Sequence, residues 1–338
     1  MATATLAIVV PCYNEQDMLP QSLPVLLATL DELIEKGKIS NTSKLYLVDD
    51  GSRDNTWEQI DQASLASSGK VVGIKLSRNR GHQNALIAGL ETTVEDMVVS
   101  IDADLQDDPS NIERMVDEFH KGSDVVYGVR AARKTDTFFK RFTAEGYYYL
   151  MRRMGVDLVF NHADFRLMSR RALNALLEYR ESQLFLRGIV REVGFTSSII
   201  EYDRQSRLAG ESKYPLRKML SLAWNGISSF STAPLRAITL LGITASALSM
   251  LLIAWVLITR FFTDNAIPGW ASILLPLLFI GSVQLLSLGV IGEYLAKLYQ
   301  EVKARPRYHI SEIRGETEPL AKSGQAMHPS PPASTKTQ

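Results

Sequence analysis

Hydrophobic and polar positions alternate in blocks along the first two-thirds of the chain. Apolar runs bounded by turn residues have the length of buried strands, and they lie at Leu6–Val10, Lys44–Val48, Val71–Leu76, Met97–Ile101 and Val125–Val129. Segments with helical spacing separate them. Strands alternating with helices are typical of an α/β domain with a mainly parallel sheet covered on both faces.

Two polar residues indicate where helices begin. Asn14 is predicted to cap a helix running from about Glu15 to about Gly37. Ser110, followed three residues later by Glu113, has the spacing of a capping box and predicts a helix that ends near Lys121.

The last third of the chain has a different pattern. Ala237–Ile258 and Trp270–Ile291 carry no charge and reach the roughly 20 residues that cross a bilayer core. They predict two transmembrane helices rather than two buried core helices. Residues 216–230 place apolar side chains on one helical face, which favours an interfacial amphipathic helix over one that packs on the domain.

Charge and composition predict the orientation of the chain in the membrane and argue against nucleic acid as a partner. The 37 basic and 37 acidic residues give a net charge of zero, so the chain lacks the overall positive charge that would predict nucleic-acid binding. Lys and Arg flank the two apolar stretches, whereas their connection holds Arg260 and Asp264, which places both termini in the cytoplasm. Cys12 is the single cysteine, so no disulfide forms within the chain. The N-terminus is interpreted as a strand and not a signal peptide.

Asp102 and Asp104 follow the fourth apolar run, with one residue between them. Carboxyl ends of strands are where open α/β sheets bind ligands, and carboxylates suit Mg²⁺ or Mn²⁺ bridging to phosphate. An isolated pair of this kind is more often a solvated turn. Two other polar segments change that balance, because residues 11–15 and 49–52 end strands at the same predicted edge.

These motifs resemble family 2 glycosyltransferases with a GT-A fold, a Rossmann-like arrangement. The similarity is carried by residues 10–15 (VPCYNE), 48–52 (VDDGS) and 102–109 (DADLQDDP), and by residues 163–170 (ADFRLMSR) and 207–214 (RLAGESKY). Within that family it is closest to the polyprenyl-phosphate glycosyltransferases, which include dolichyl-phosphate mannose synthases and bacterial bactoprenol glucosyltransferases. Residues 79–84 (NRGHQN) and the two apolar stretches most resemble bactoprenol glucosyltransferases.

The resemblance implies a role for each matching residue. Asp102, Asp104 and Gln106 match metal positions for Mg²⁺ or Mn²⁺, and Arg207 and Lys213 match a phosphate-binding loop. Nucleotide-sugar positions are Pro11, Tyr13, Glu15, Asp49, Asp50, Ala103 and Arg130. The division of work between Asp49 and Asp50 stays open.

Asp164 and Arg166 are the candidate catalytic residues. Asp164 would face the anomeric carbon and Arg166 would hold the acceptor phosphate. The acceptor phosphate is already largely anionic near neutral pH, so Asp164 acts either as a base or as an electrostatic stabiliser. The alternative is that Asp164 pairs structurally with Arg166 or Arg170.

The implied activity is inverting transfer of a hexose onto polyprenyl (undecaprenyl) phosphate at the cytoplasmic face of the inner membrane. UDP-glucose is the first choice of donor. GDP-mannose or another nucleotide sugar is an alternative donor, and an inactive nucleotide-binding scaffold is an alternative function. A processive synthase is disfavoured because no Gln-x-x-Arg-Trp motif occurs. A homo-oligomer and a flippase are expected partners.

Five segments follow from this interpretation. They are a glycosyltransferase domain at 1–213, the interfacial helix at 214–234, the transmembrane hairpin at 235–292, a juxtamembrane cytoplasmic segment at 293–314 and a disordered tail at 315–338.

Overall fold

A computed structural model of the chain describes residues 3–130, 162–181, 186–202 and 271–315, with scattered residues between 235 and 258. In chain order its elements are β1 (Leu6–Cys12), α1 (Leu19–Glu35), β2 (Lys44–Asp49), α2 (Thr56–Ala66), β3 (Val71–Leu76), α3 (His82–Thr92), β4 (Met97–Ser100), α4 (Asn111–His120), β5 (Val125–Arg130), β6 (His162–Ser169), α5 (Arg170–Leu177), α6 (Leu186–Glu192), β7 (Ser197–Tyr202), α7 (Ala271–Val302) and β8 (Ile310–Arg314). They form two compact units, Met1–Ala103 with Ile310–Gln338, and Asp104–His309.

The first unit contains the predicted parallel sheet. Its strands lie in the order β4-β1-β2-β3-β8, and the first four are parallel to one another. Cys12 pairs with Asp49, and Val9 pairs with Ser100. The carboxyl ends of β1, β2 and β4 therefore share one edge, as the strand pattern predicted.

Strand β8 was not predicted. It adds antiparallel to β3, with Ile313 opposite Ile74. Arg314 pairs with Asp61 of α2 at 3.0 Å. Gly315 follows with φ +94°, and a Cβ there would lie 2.6 Å from the Val71 carbonyl oxygen. The chain therefore returns to the first sheet after α7.

Close packing fixes α3 against this sheet. A Cβ on Gly89 would lie 2.4 Å from Val9 Cγ1 and 2.8 Å from Val48 Cγ2. Glycine allows the helix backbone to approach β1 and β2 to this distance. This packing fixes the position of α3, which begins at His82.

The first predicted helix cap is wrong, and the second is correct in position but lacks the predicted side-chain bond. The first helix begins at Leu19, and Asn14 instead has φ +54° and accepts a hydrogen bond from the Arg53 amide at 2.9 Å. Ser110 precedes α4, but its side chain makes no capping bond. Its own amide donates to Asp108 Oδ1 at 2.9 Å. Asp108 satisfies the amide that the capping box would have used.

The second unit contains a mixed group of three strands. β5 pairs in parallel with β7 over Val125–Arg130 and in antiparallel with β6. The sequence pattern did not identify β6 or β7. In β6 the charged residues Asp164 and Arg166 alternate with buried Phe165 and Leu167, so no continuous apolar run exists there.

Asp124 joins three elements at the amino ends of β5 and β7. Its carboxylate accepts hydrogen bonds from Ser169 Oγ at 2.8 Å and Thr196 Oγ1 at 2.7 Å, and it pairs with the Arg171 guanidinium. The hydrogen bonds from Arg171 lower the pKa of Asp124 to about 2, although burial of the carboxylate acts in the opposite direction. A lowered carboxyl pKa stabilises the fold above the pKa of the unfolded chain, and this contribution falls as pH drops toward 2.

We expect Asp124→Asn to lower the free energy of unfolding at pH 7 by about 1–2 kcal/mol, a value reduced because Arg171 is exposed. The difference between variant and parent should shrink between about pH 4 and pH 2, because the unfolded chain binds the proton at the ordinary carboxyl pKa and the folded chain binds it only near pH 2. Unfolding of the detergent-solubilised full chain at pH 7 and pH 3 measures this. A difference that does not depend on pH would show that the charge of Asp124 contributes nothing.

Helix α7 has the length and composition of a membrane span. Within the described residues, Phe279–Val302 is the one segment that meets both criteria, and none of its apolar window is buried. The helix begins one residue after the predicted start and continues eleven residues past the predicted end at Ile291. Its 32 residues extend about 48 Å, longer than a bilayer core. The first predicted span falls mostly outside the described residues.

Candidate active site

The carboxyl edge of the first unit presents an aromatic ring and several polar groups. Tyr13 follows β1 and is 42 % exposed, which leaves its ring accessible for stacking. Glu15 is half-buried, and its amide donates to Thr56 Oγ1 at 2.8 Å. Pro11 is buried beneath them. Among these three predicted nucleotide-binding residues, Tyr13 is the most accessible.

Asp50 has a structural task at this edge. Its two carboxylate oxygens accept the amide hydrogens of Arg80 and Gly81, at 2.6 and 2.8 Å. The turn at Gly51, φ +68°, approaches the backbone of Arg78 so closely that a Cβ would lie 2.6 Å from its carbonyl carbon. Asp50 therefore fixes the loop that leads into α3.

Asp49 differs from Asp50 in its hydrogen bonds. It is fully buried, and Oδ1 accepts from the Ser52 amide at 3.1 Å. Oδ2 is buried and has no hydrogen-bond partner among the described residues. Burial raises the pKa of Asp49 despite the opposing Ser52 bonds. An N–H donor from a ligand would satisfy Oδ2. Because Asp49 is fully buried, the residues that cover it have to move before a ligand can reach this oxygen.

Asp102 lies beside His82 at the same edge. Their Nε2 and Oδ1 atoms are 3.5 Å apart, and both side chains are partly exposed. Ala103 next to it is buried. His82 was not among the predicted site residues. The signal that the sequence contained is its place within residues 79–84 (NRGHQN), one of the segments that carry the resemblance.

Asp104 begins the second unit with a strained turn. Its Oδ1 accepts the Gln106 amide at 3.2 Å, and the intervening Leu105 has φ +49°, which is rare for a leucine. Gln106 is buried, and its Nε2 has no hydrogen-bond partner among the described residues. Asp104 itself stays partly accessible. This turn presents the Asp104 carboxylate while covering Gln106.

Asp107 follows that turn and was not predicted to take part in the site. Its buried carboxylate binds Arg130 in a bidentate pair, at 2.9 Å from Nε and 3.0 Å from Nη2. The Tyr202 hydroxyl donates to Asp107 Oδ1, the oxygen that also accepts from Arg130 Nε, at 2.6 Å. Burial disfavours the Arg130 charge, but Asp107 outweighs it and the pKa of Arg130 rises. The predicted phosphate-facing arginine is thus held by a carboxylate.

The two candidate catalytic residues lie together on β6. Asp164 Oδ1 is 3.5 Å from Arg166 Nη2. Arg166 is almost fully buried, whereas 14 % of the Asp164 side chain is exposed. Arg166 is paired in register with Tyr127 of β5. The ion pair that was the alternative interpretation is present, and it leaves Asp164 accessible. Arg207 and Lys213 lie outside the described residues.

Comparison with known proteins identifies the family. The model of glycosyl transferase family 2 matches residues 7–177, which is half of the chain. The chain belongs to glycosyltransferase family 2. Its mainly parallel first sheet agrees with the predicted GT-A, Rossmann-like fold, and its enzyme class is that of a glycosyltransferase.

Relatives match almost the whole chain. It is 49 % identical over 307 residues to the uncharacterized glycosyltransferase YkoT of Bacillus subtilis, covering 90 % of each chain. It is 39 % identical to the bactoprenol glucosyl transferase of Shigella phage SfX, covering 90 % of this chain and 98 % of the phage protein. Glucosyl-3-phosphoglycerate synthase from Mycobacterium tuberculosis is a distant structural neighbour, 18 % identical with a TM-score of 0.43, covering 67 % of this chain and 76 % of that one.

The residues present fit a divalent cation that is shared with substrate. Among the described residues, no group of three or more His, Cys, Asp or Glu side chains forms a metal cage. Asp102 and Asp104 are partly accessible carboxylates separated by one residue. Mg²⁺ is commonly held in this way, by one or two carboxylates with water and substrate phosphates completing the shell.

Proposed function

We propose that this family 2 glycosyltransferase transfers glucose from UDP-glucose, with inversion, onto undecaprenyl phosphate at the cytoplasmic face of the membrane. The observation that carries the proposal is the match to a bactoprenol glucosyl transferase over 90 % of this chain and 98 % of that protein. The similarity therefore extends through both the catalytic residues and the apolar C-terminal region. Bactoprenol, a polyprenol, supplies the acceptor class.

The accessible groups at the strand ends suit the donor. Tyr13 can stack on a base. Asp102 and Asp104 would hold a cation, which would supply charge neutralisation for a departing diphosphate. We assign Gln106 to the same site through its side-chain oxygen, as the family resemblance implies. Arg130 contributes a fixed positive charge of the kind that stabilises developing negative charge in a transition state.

The acceptor half of the site is assigned to Asp164 and Arg166. The partly exposed Asp164 carboxylate can orient the acceptor or stabilise positive charge on the sugar ring. Arg166 is buried, so we assign it a smaller direct role toward the phosphate than the sequence implied. We propose that Arg207 and Lys213 add phosphate contacts from the segment that follows β7.

Transfer can be tested directly. Purified full-length protein with undecaprenyl phosphate, Mn²⁺ and a panel of labelled nucleotide sugars should give an acid-labile, organic-extractable labelled lipid with UDP-glucose. A stronger signal with GDP-mannose would change the donor and keep the enzyme class. Absence of transfer from every common nucleotide sugar, with nucleotide binding retained, would support the inactive scaffold instead.

The return of the chain to β3 supports the predicted topology. Because β8 pairs with β3, residues after α7 lie in the same compartment as residues 6–100. If α7 crosses the membrane, an even number of crossings separates the two strands. The predicted pair of spans satisfies this requirement, and the basic flanks place the shared compartment in the cytoplasm.

We expect cysteine labelling to confirm this orientation. The single native cysteine is buried, so Cys12→Ala gives a background for Asp264→Cys, between the spans, and for Thr337→Cys in the tail. In intact spheroplasts an impermeant maleimide should label the first variant and leave the second unlabelled until lysis. The reverse pattern would invert the proposed topology.

A further inference from the structure

Two clusters of the same composition occupy opposite ends of the parallel pair β5–β7. Each contains a buried aspartate, an arginine held by both carboxylate oxygens, and a hydroxyl from the end of β7. At the amino end these are Asp124, Arg171 and Thr196. At the carboxyl end they are Asp107, Arg130 and Tyr202.

The two ends of a parallel sheet have different uses. Ligands bind outside the carboxyl ends of the strands, and the amino ends serve the fold. The carboxyl-end cluster also begins three residues after Asp104, beyond the strained turn at Leu105. Its aspartate is 1 % exposed, whereas the Arg130 side chain is 27 % exposed. The carboxylate is therefore covered, and the cation it holds remains accessible.

We propose that Asp107 and Tyr202 are positioning residues that fix Arg130 for contact with a substrate phosphate. This inference rests on the proposed function. A guanidinium presents its donors in a planar fork, and Asp107 takes two of its nitrogens in a bidentate pair. Fixing the fork beforehand removes the entropy cost of ordering a long side chain when the phosphate arrives. Tyr202, in turn, fixes the carboxylate from the end of β7.

The alternative is that this cluster only stabilises the unit, as its counterpart at the amino end does. The two interpretations differ in what happens when Arg130 is already absent. If Asp107 acts through Arg130, its charge has nothing to position in an Arg130→Ala background. A structural aspartate would still contribute to folding there and would not alter the response to an added cation.

The test is a double-variant cycle with chemical rescue. Asp107→Asn and Arg130→Ala should each lower kcat/KM for the donor by about 10- to 100-fold, the usual effect of losing a supporting partner. The double variant should be no worse than Arg130→Ala alone, because the two residues act as a unit. Added guanidinium should restore part of the Arg130→Ala activity and none of the double variant's activity. Tyr202→Phe should give a smaller loss of the same kind.

Asp124→Asn is the matched control, and it should lower the unfolding temperature without changing kcat/KM at a temperature where it is folded. The proposal would be overturned if the double variant lost kcat/KM by the product of the two single losses. It would also be overturned if guanidinium restored the Arg130→Ala variant and the double variant equally. Binding of UDP to each variant by calorimetry separates the two hypotheses. Weakened UDP binding by Arg130→Ala and Asp107→Asn would support positioning even if the transfer assay gave no product with any donor.

Discussion

Replacement of Asp104 by Asn is expected to lower glucosyl transfer by at least about 10³-fold, because a metal ion contributes several kcal/mol of charge stabilisation. The Asn side chain can still accept the Gln106 amide at the position of Oδ1. It loses the negative charge that a hard cation requires. The strained turn should therefore survive while metal affinity falls. Transfer assays across a Mn²⁺ titration, with Mn²⁺ binding followed by electron paramagnetic resonance, measure both effects.

A neighbouring aspartate in the same segment is the control for Asp104. Asp108 carries the same charge, and its Oδ1 accepts the Ser110 amide at the start of α4. Asp108→Asn should leave Mn²⁺ binding unchanged and cost little activity. Near-normal transfer by Asp104→Asn at saturating Mn²⁺ would remove the proposed metal site, and equal losses in both variants would indicate a general effect of loop charge.

The hydrophobic pattern predicted the strands that are continuously apolar. Strands β1 to β5 are each bounded by turn residues, so their existence and order could be read directly, with ends correct to within two residues. Strand β6 could not be found in this way because Asp164 and Arg166 interrupt it. Strand β8 was missed because its partner β3 is more than 230 residues away along the chain. Local pattern carries no information about such a pairing.

The candidate site was predictable as a set of strand ends and not as a set of contacts. Asp49 and Asp50 are adjacent, and both match the motif, yet their contacts differ. The Asp50 carboxylate organises the loop at Arg80 and Gly81, while one buried oxygen of Asp49 has no hydrogen-bond partner in the part of the chain that the structure describes. Asp107 resembles an ordinary turn residue in an aspartate-rich segment. Its bond to Arg130 depends on a strand 23 positions later. Such divisions of work are set by tertiary packing.

The second large effect concerns Asp164, where a catalytic and a structural role must be separated. Asp164→Asn would leave the buried Arg166 charge with a neutral neighbour, and breaking a buried pair costs about 3–5 kcal/mol. Loss of activity in that variant would therefore be ambiguous. Asp164→Glu keeps the charge near Arg166 and moves the carboxylate by about one bond length. A misplacement of about 1 Å at the reacting centre lowers the rate by roughly 10²-fold.

We therefore expect Asp164→Glu to retain the unfolding temperature of the parent and to lose about 10²-fold in kcat, with KM for UDP-glucose little changed. The reason is that the proposed role of Asp164 lies at the sugar carbon or the acceptor and not on the nucleotide. Single-turnover transfer at several pH values, together with thermal unfolding, measures this. Full activity in Asp164→Glu would assign the residue to the ion pair with Arg166 alone. A rise of about 10²-fold in KM for UDP-glucose, with kcat unchanged, would assign Asp164 to the donor site.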